Sequence, residues 1–142
     1  MFENPALAEI HAFLRRIRSI AVLGLSESPD KPSHHVARGL QKFGYRIVPV
    51  NPTAKEILGE PAWPDLESAL AGAGPVDLVD VFRRPEHVPA IVDDCIRLKV
   101  PALWLQEGVV NEAAAQKARD AGLFVVMDRC VFKTRAAMAR EG

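Results

Sequence analysis

The sequence has no excess of charge of either sign. Eighteen lysine and arginine residues balance eighteen aspartate and glutamate residues in a chain of 142 residues, and the pI is near 6.9. Nucleic-acid-binding domains usually have a pI above about 9 or a basic stripe on their surface. We therefore expect no nucleic-acid partner.

Long apolar segments and a signal sequence are also missing. No apolar run approaches the roughly 20 residues of a membrane-spanning helix, and residues 1–9 are polar and lack a basic stretch. The two cysteines, Cys95 and Cys130, are too few for a disulfide framework or a four-cysteine metal site. These absences predict a cytoplasmic protein without a membrane partner.

The chain contains short apolar runs that alternate with segments of helical periodicity. Forty-nine per cent of its residues are apolar and 25% are charged, the usual balance of a globular domain. The runs are rich in β-branched or large apolar residues, which is typical of strands buried on both faces. They comprise residues 19–23, 46–50, 77–82, 102–105 and 124–126. Pro49 fits the second run only at a sheet edge or near a strand end.

Apolar residues at helical spacing predict four helices between these strands and two that flank them. The helices between strands have apolar positions within residues 36–43, 65–71, 88–98 and 114–121. Gly44 ends the first of these helices, Pro85 begins the third and Asn111 caps the fourth. The flanking helices are expected at about residues 5–16 and 133–140.

Strands and helices that alternate with short connections predict a Rossmann-like α/β fold. We expect a single domain over residues 1–142, with a doubly wound, parallel, five-stranded sheet in the order 3-2-1-4-5 and helices on both faces. Ligands of such sheets bind beyond the carboxyl ends of the strands, where the strand order reverses. With this order, the ligand site would lie between the first and fourth strands.

The loop after the first strand has the properties of an anion site. Gly24 allows the backbone to turn sharply, and the amides at the start of the following helix favour a negative charge. Lys31 adds a positive charge beside them. Ser33 either caps that helix or belongs to the phosphate site.

The same loop departs from the pattern of a dinucleotide-binding protein. The Gly-x-Gly-x-x-Gly fingerprint needs glycines where Ser26 and Pro29 stand, and the second strand ends without the acidic residue that binds ribose hydroxyls. The loop also lacks a complete Gly-x-Ser-x-Gly nucleophile elbow, because Ser28 stands where the second glycine would be. This absence argues against a hydrolase. An NAD(P)-linked small enzyme or redox sensor stays open as an alternative function.

Two arginines follow the third strand. Arg83 and Arg84 stand before a predicted helix, where positive charges oppose the helix dipole unless an anion lies nearby. The alternative is that both are solvated or pair with Glu86 or Asp80. An anionic ligand would explain their position.

After the fourth strand, Gln106 and Gly108 lie where the chain leaves the sheet, and Gly108 allows a ligand to approach the backbone. Glu107 is a solitary carboxylate without an evident partner for acid–base chemistry. Trp104, within the strand, is expected in the core.

The histidines and cysteines do not form a recognisable metal site. His34 and His35 are adjacent on a predicted helix and therefore point in different directions, and we expect the four histidines at the surface. Cys95 lies on an apolar helix stripe and is expected in the core. Cys130 is either buried and inert or, beside Arg129, a thiol whose thiolate form is favoured.

Five segments of the sequence carry a family resemblance. They are Ile20-Ala-Val-Leu-Gly-Leu-Ser26 with Asp30-Lys-Pro-Ser33, then Val48-Pro-Val-Asn-Pro52, Asp80-Val-Phe-Arg-Arg-Pro85, Trp104-Leu-Gln-Glu-Gly108 and Met127-Asp-Arg-Cys130. Together, over about residues 16–133, the chain resembles the small bacterial proteins that bind coenzyme A (CoA). Those proteins are similar to the CoA-binding domain of the succinyl-CoA synthetase alpha subunit.

The resemblance implies that CoA binds along the carboxyl ends of the strands. CoA carries a pyrophosphate and a 3′-phosphate, so it needs an anion site with scattered cations and no carboxylate after the second strand. By position, the resemblance assigns the loop after each strand to one part of CoA. The phosphates and pantetheine would contact Gly24, Leu25, Ser26 and Lys31, and the nucleotide would contact Val50, Asn51 and Pro52. The adenine and ribose phosphate would contact Phe82, Arg83 and Arg84, and the pantetheine arm would contact Gln106, Glu107 and Gly108.

Cys130 marks a departure from the synthetase. It lies near the position of an Asn-Cys-Pro-Gly-like turn in the synthetase, which Asp128-Arg129-Cys130 replaces here. We hypothesise that Cys130 contacts CoA and that mild oxidation, which removes two electrons and two protons from the two thiols, joins them in a mixed disulfide.

The chain ends about a dozen residues after Cys130, so we expect neither a ligase domain nor its phosphorylated histidine. The expected function is non-catalytic binding of CoA or an acyl-CoA. The CoA-binding subunit of a split acyl-CoA synthetase is a further alternative, and a homodimer through Trp63 and the flanking helices stays open.

Overall fold

The computed structural model describes residues 1–141, with side chains through Arg140. Its strands are β1 (Ser19–Leu23), β2 (Arg46–Val50), β3 (Glu56–Ile57), β4 (Glu60–Pro61), β5 (Leu78–Val81), β6 (Ala102–Leu105) and β7 (Phe124–Met127). Its helices are α1 (Leu7–Arg16), α2 (Pro32–Lys42), α3 (Leu66–Ala73), α4 (Val88–Arg97), α5 (Glu112–Asp120) and α6 (Val131–Glu141), and a single 3₁₀ turn, Pro85–His87, precedes α4.

The strand and helix predictions are confirmed, with small shifts at their ends. Three of the five strands have the predicted bounds, whereas β5 is shorter by one residue at each end and β7 is longer by one. The predicted cap of α5 is present, because the Asn111 Oδ1 accepts a hydrogen bond from the Ala114 amide at 3.0 Å. The C-terminal helix begins at Val131, two residues before its predicted start.

The strand order differs from the prediction. The five long strands are parallel and follow the order β2-β1-β5-β6-β7, so in terms of the predicted strands the order is 2-1-3-4-5 instead of 3-2-1-4-5. Pro49 explains the difference, because it has no N–H to donate to a further strand and is therefore suited to an edge. The order 3-2-1-4-5 would place Pro49 inside the sheet.

Helices cover both faces of this sheet, which confirms the doubly wound α/β class. Apolar side chains of α1, α2 and α6 pack on one face, with Ile20, Val22 and Trp104. Side chains of α3, α4 and α5 pack on the other face, with Ala21 and Leu103. The chain leaves β1 for one face and β5 for the other, so the strand order reverses between these neighbours. The ligand crevice expected of such a sheet therefore lies between β1 and β5.

A small hairpin after β2 was not predicted. Strands β3 and β4 pair in antiparallel orientation through a turn in which Leu58 has φ 55° and Gly59 has φ 78°, the conformation of a tight hairpin turn. The segment that follows runs along the outer edge of β2, where the Trp63 amide donates to the Pro49 carbonyl oxygen at 3.0 Å. This contact partly covers the exposed edge of the sheet.

Two histidines lie in the core, so the predicted surface position is wrong for them. His11 and His34 are each 8% exposed because they lie on the sheet-facing sides of α1 and α2. His35 and His87 are exposed as predicted.

Candidate functional site

A glycine turn holds three strand ends together at the crevice. Gly24 has φ +82°, and a Cβ at this position would overlap the carbonyl oxygen of Phe82. The Gly24 amide donates to the Val50 oxygen at 3.1 Å, and the Phe82 amide donates to the Leu23 oxygen at 2.9 Å. Glycine is therefore required here both by conformation and by the close approach of backbone.

Two serines organise the loop between β1 and α2. The Ser26 amide donates to the Ser33 Oγ at 2.9 Å, and the Ser28 amide donates to the Ser26 Oγ at 3.0 Å. The interpretation of Ser33 as a helix cap is wrong, because α2 begins at Pro32 and its cap position is Lys31. Leu25 has its side chain fully buried, so it can offer a ligand only backbone atoms.

Asn51 connects the end of β2 to that loop. Its Nδ2 donates to the Leu25 oxygen at 2.9 Å, and its Oδ1 accepts from the amides of Thr53 and Ala54, each at 2.9 Å. The side chain thus fixes two loops of the crevice. Val50 is buried beside it, whereas Pro52 is exposed.

Three cations surround the crevice. Lys31, Arg83 and Arg84 are exposed and, within residues 1–141, form no ion pair. The Arg83 Cδ lies 3.0 Å from the position of a Cβ on Gly24, so this arginine crosses the glycine turn. The alternative pairing with Asp80 or Glu86 does not occur.

Asp80 is unavailable to these arginines because it is in the core. It lies within β5 between Val22 of β1 and Trp104 of β6 and is fully buried. Neither of its carboxyl oxygens has a hydrogen-bond partner in the described part of the chain. Burial raises the pKa of Asp80 well above its usual value, and the nearby Val81 amide offsets only part of this effect. Burial in the sheet therefore favours the protonated, uncharged form of this carboxyl group.

The residues after β6 are held by contacts with the segment around Cys130. Glu107, expected to be solitary, pairs with Lys133, whose Nζ lies 3.0 Å from its Oε1. The Gly108 amide donates to the Asp128 Oδ1 at 2.8 Å. The Gln106 Oε1 accepts from the Val131 amide at 3.1 Å, which satisfies one of the free amides at the start of α6.

A cavity of about 850 Å³ opens beside these residues. It lies between α2 and α6 on the α1/α2/α6 face of the sheet. Of the predicted site residues, the cavity lining includes Phe82, Gln106, Glu107 and Cys130. The remaining predicted residues lie outside the cavity lining, at or after the carboxyl ends of β1, β2, β5 and β6 at the same edge of the sheet. The structure therefore divides the predicted site into a cationic crevice and an apolar cavity.

The helix residues of the cavity were not predicted. Val36 and Gly39 of α2, Phe43 directly after it and Phe132 of α6 all line the cavity. A Cβ at Gly39 would overlap the Phe132 ring, so this glycine permits the close approach of the two helices. A glycine inside a helix usually lowers the stability of the protein. The presence of Gly39 within a predicted helix was therefore a sign in the sequence that another group packs closely there.

The two cysteines occupy different environments. Cys95 is fully buried on α4 and is a core residue, as predicted. Cys130 is 6% exposed and lines the cavity at the start of α6. Trp104, also buried as predicted, donates from its Nε1 to the Arg129 oxygen at 2.9 Å and so fixes the segment before Cys130.

Residues 1–141 contain no group of three or more histidine, cysteine, aspartate or glutamate side chains placed to hold a metal ion. No helix in the same range is both long and apolar enough to cross a membrane.

Comparison with known proteins identifies relatives over most of the chain. Residues 18–135 match the family model of the CoA binding domain. The chain is 43% identical over 129 residues to the uncharacterized protein YneT of Bacillus subtilis, which covers 91% of this chain and 93% of that protein. It is 30% identical over 100 residues to the ADP-forming acetate–CoA ligase I of Archaeoglobus fulgidus, which covers 70% of this chain and 14% of the ligase.

A solved structure has the same fold. A protein from Thermus thermophilus superposes with a TM-score of 0.86 at 34% identity, over 94% of this chain and 99% of that chain. The order of strands and helices described above is thus shared with an experimentally determined relative.

Proposed function

The chain belongs to the family of CoA-binding domains, and from this membership we propose that it binds CoA or an acyl-CoA at the carboxyl edge of its sheet without catalysing a reaction. The crevice between β1 and β5 would hold the phosphates, and the residues after β6 would lie along the pantetheine arm. The ligand is therefore expected to pass from the cationic crevice to the mouth of the apolar cavity.

The observation that carries this proposal is the group of unpaired cations at the crevice. Lys31, Arg83 and Arg84 are exposed at the point where a doubly wound sheet binds its ligand. Two of them stand directly before the 3₁₀ turn that leads into α4, which is unfavourable for positive charge in the absence of an anion. A pyrophosphate and a 3′-phosphate supply the anions that this arrangement needs.

The proposal that the protein is not itself a catalyst is supported by the state of the carboxyl groups near the site. Glu107 is held in an ion pair with Lys133, and Asp80 is buried in the sheet. Neither is placed to exchange a proton with a ligand in the crevice.

Calorimetric titration with CoA, dephospho-CoA, NAD and NADP tests the proposal. We expect CoA to bind, dephospho-CoA to bind more weakly because it lacks the 3′-phosphate, and the two nicotinamide dinucleotides not to bind. Binding of NAD or NADP without binding of CoA would contradict the proposal and favour the NAD(P)-linked alternative.

A second candidate function is the CoA-binding subunit of a split acyl-CoA synthetase. The observation in its favour is the match to the Archaeoglobus fulgidus ligase, in which the matching segment is 14% of a longer chain. This candidate predicts a neighbouring reading frame that encodes the remaining ligase domains. Formation of an acyl-CoA from CoA, acetate and ATP only after that second polypeptide is added would decide in its favour.

A further inference from the structure

The cavity between α2 and α6 is larger than the end of a pantetheine arm requires. Its volume of about 850 Å³ falls within the range of pockets that enclose whole small ligands. Its lining at the carboxyl edge of the sheet includes Phe82, Gln106 and Cys130, which follow β5, β6 and β7. A ligand arm that runs past these strand ends therefore leads directly into the cavity.

The inner wall of the cavity is apolar. Val36, Phe43, Phe82 and Phe132 supply most of it. Phe132 packs against the backbone of α2 at Gly39, and its ring lies 6.0 Å from that of Phe43. The Arg135 guanidinium lies 4.5 Å from the centroid of the Phe43 ring. These contacts pack the two aromatic rings between α2 and α6.

The charged side chains of the cavity belong to its rim. Arg38, Lys42 and Lys133 are exposed, and Lys133 is paired with Glu107. Their aliphatic stems line the opening while their charged ends stay in water. The interior is thus left to apolar groups and to one buried amide.

That amide is Gln106, which is 4% exposed. Its Oε1 is oriented by the Val131 amide, so its Nε2 points elsewhere. Within residues 1–141, Nε2 has no hydrogen-bond acceptor, and it is not among the polar atoms that are fully enclosed by protein. Because Gln106 lines the cavity, the cavity is the space that this donor faces. A donor in a nearly buried side chain normally has an acceptor.

We propose that the cavity receives the acyl group of an acyl-CoA, with the Gln106 Nε2 donating to the thioester carbonyl oxygen. This inference rests on the proposed CoA site. A free CoA thiol would leave the apolar wall in contact with water and the Gln106 donor without a carbonyl. The preferred ligand class is therefore a CoA thioester with an apolar acyl chain, rather than CoA itself.

The length of the acyl chain gives a direct test on the unmodified protein. Calorimetric titrations use CoA, acetyl-CoA, butanoyl-CoA, hexanoyl-CoA and octanoyl-CoA. We expect the affinity to rise with each added methylene, by up to about fourfold, and to level off when the cavity is full. If CoA binds and the thioesters bind equally well or more weakly, the inference is wrong and the proposed function stands. If neither CoA nor any thioester binds, both are wrong.

Two variants test whether the gain in affinity with acyl-chain length arises in the cavity. Val36→Phe places a larger side chain in the cavity, and we expect it to remove the gain with chain length while leaving the affinity for CoA within about twofold of the wild type. Gln106→Glu keeps the acceptor for the Val131 amide and removes the Nε2 donor, so it is expected to weaken thioesters about tenfold relative to CoA. A thermal melt of each variant confirms folding. An undiminished gain with chain length in Val36→Phe would place the acyl group outside the cavity and overturn the inference.

Discussion

The carbonyl oxygen of Phe82 occupies the space that a Cβ on Gly24 would need. The contact joins the ends of β1 and β5, the two strands between which the strand order reverses. Because Arg83 is the next residue after Phe82, the same contact sets where its guanidinium lies relative to the glycine turn. The stability of the fold and the position of Arg83, which we propose as a phosphate-binding cation, therefore depend on one close approach of two backbones.

Replacement of Gly24 tests this relationship. Gly24→Ala adds both an unfavourable positive φ and an overlap with a backbone oxygen, so we expect it to lower the free energy of unfolding by roughly 3 kcal/mol or more. Gly44→Ala is the matched control, because Gly44 has φ +99° but open space around it; we expect a loss of about 1–2 kcal/mol. Urea denaturation measures both. Equal losses in the two variants would show that the Phe82 contact does not constrain the turn.

The cations of the crevice are tested by their effect on CoA affinity. Lys31→Ala and Arg83→Ala are each expected to weaken CoA about tenfold to a hundredfold, because each removes a charge-assisted contact to phosphate. Lys99→Ala and Arg18→Ala are controls that remove the same charge at the amino-terminal ends of the strands, since these residues precede β6 and β1. Calorimetry at two salt concentrations measures the affinities. If the control variants weaken CoA as much as the crevice variants do, the phosphates lie elsewhere.

Asp80 predicts a particular dependence of stability on pH. Its pKa in the folded protein is raised by burial, whereas in the unfolded chain it is about 3.9. At a pH between these two pKa values, the unfolded chain loses a proton that the folded protein keeps. The free energy of unfolding therefore falls as pH rises, by at most about 1.4 kcal/mol per pH unit. The contribution of Asp80 is thus complete below the unfolded pKa and is lost as pH rises through the folded pKa.

Asp80→Asn removes this titration, and urea denaturation between pH 4 and 8 measures the difference from the wild type. We expect the wild type to lose stability relative to Asp80→Asn as pH rises. Asp65→Asn is the control, because hydrogen bonds from Ser68 lower the pKa of Asp65 below its usual value. Its titration therefore lies below this pH range, and we expect the profile of Asp65→Asn to run parallel to that of the wild type. Parallel pH profiles for the wild type and Asp80→Asn would contradict a protonated Asp80.

The sequence was sufficient for the five long strands and the six helices, but not for the β3–β4 hairpin, and the strand order and the cavity depend on tertiary packing. The five strands were recognisable because burial on both faces requires continuous apolar runs, and the Asn111 cap because its side chain acts locally. The presence of Pro49 in the second strand indicated that this strand lies at an edge of the sheet, but the predicted strand order placed it inside. The rule for doubly wound sheets placed the candidate crevice at the carboxyl edge, but the predicted strand order assigned it to the first and fourth strands, whereas β1 is adjacent to β5, the third.

The cavity was beyond such reasoning. Helical periodicity shows which side of α2 is apolar, but it does not show that Phe132 of α6 packs against Gly39. The burial of His34 could have been predicted, because this residue stands three positions before Ala37 and six before Leu40 on the apolar side of the helix. The ion pair of Glu107 with Lys133 joins residues 26 positions apart, a separation that no local pattern reveals.

The two thiols are expected to react at very different rates. Burial raises the pKa of the Cys95 thiol to about 12, so at pH 8 it is protonated as well as shielded, and thiol reagents attack the thiolate. Cys130 lines a cavity that opens to solvent. We therefore expect a disulfide reagent to modify one thiol per folded chain, located at Cys130 by peptide mass spectrometry, and to modify Cys95 only after unfolding.

Ligand protection extends this experiment to the site. A saturating CoA thioester is expected to slow the modification of Cys130 because the acyl group fills the space beside it, and Cys130→Ser is expected to abolish modification of the folded protein. Modification of Cys95 in the folded chain at the same rate as Cys130 would contradict the burial of α4 against the sheet. Modification of Cys130 at an unchanged rate in the presence of a bound thioester would instead place the acyl group away from the start of α6.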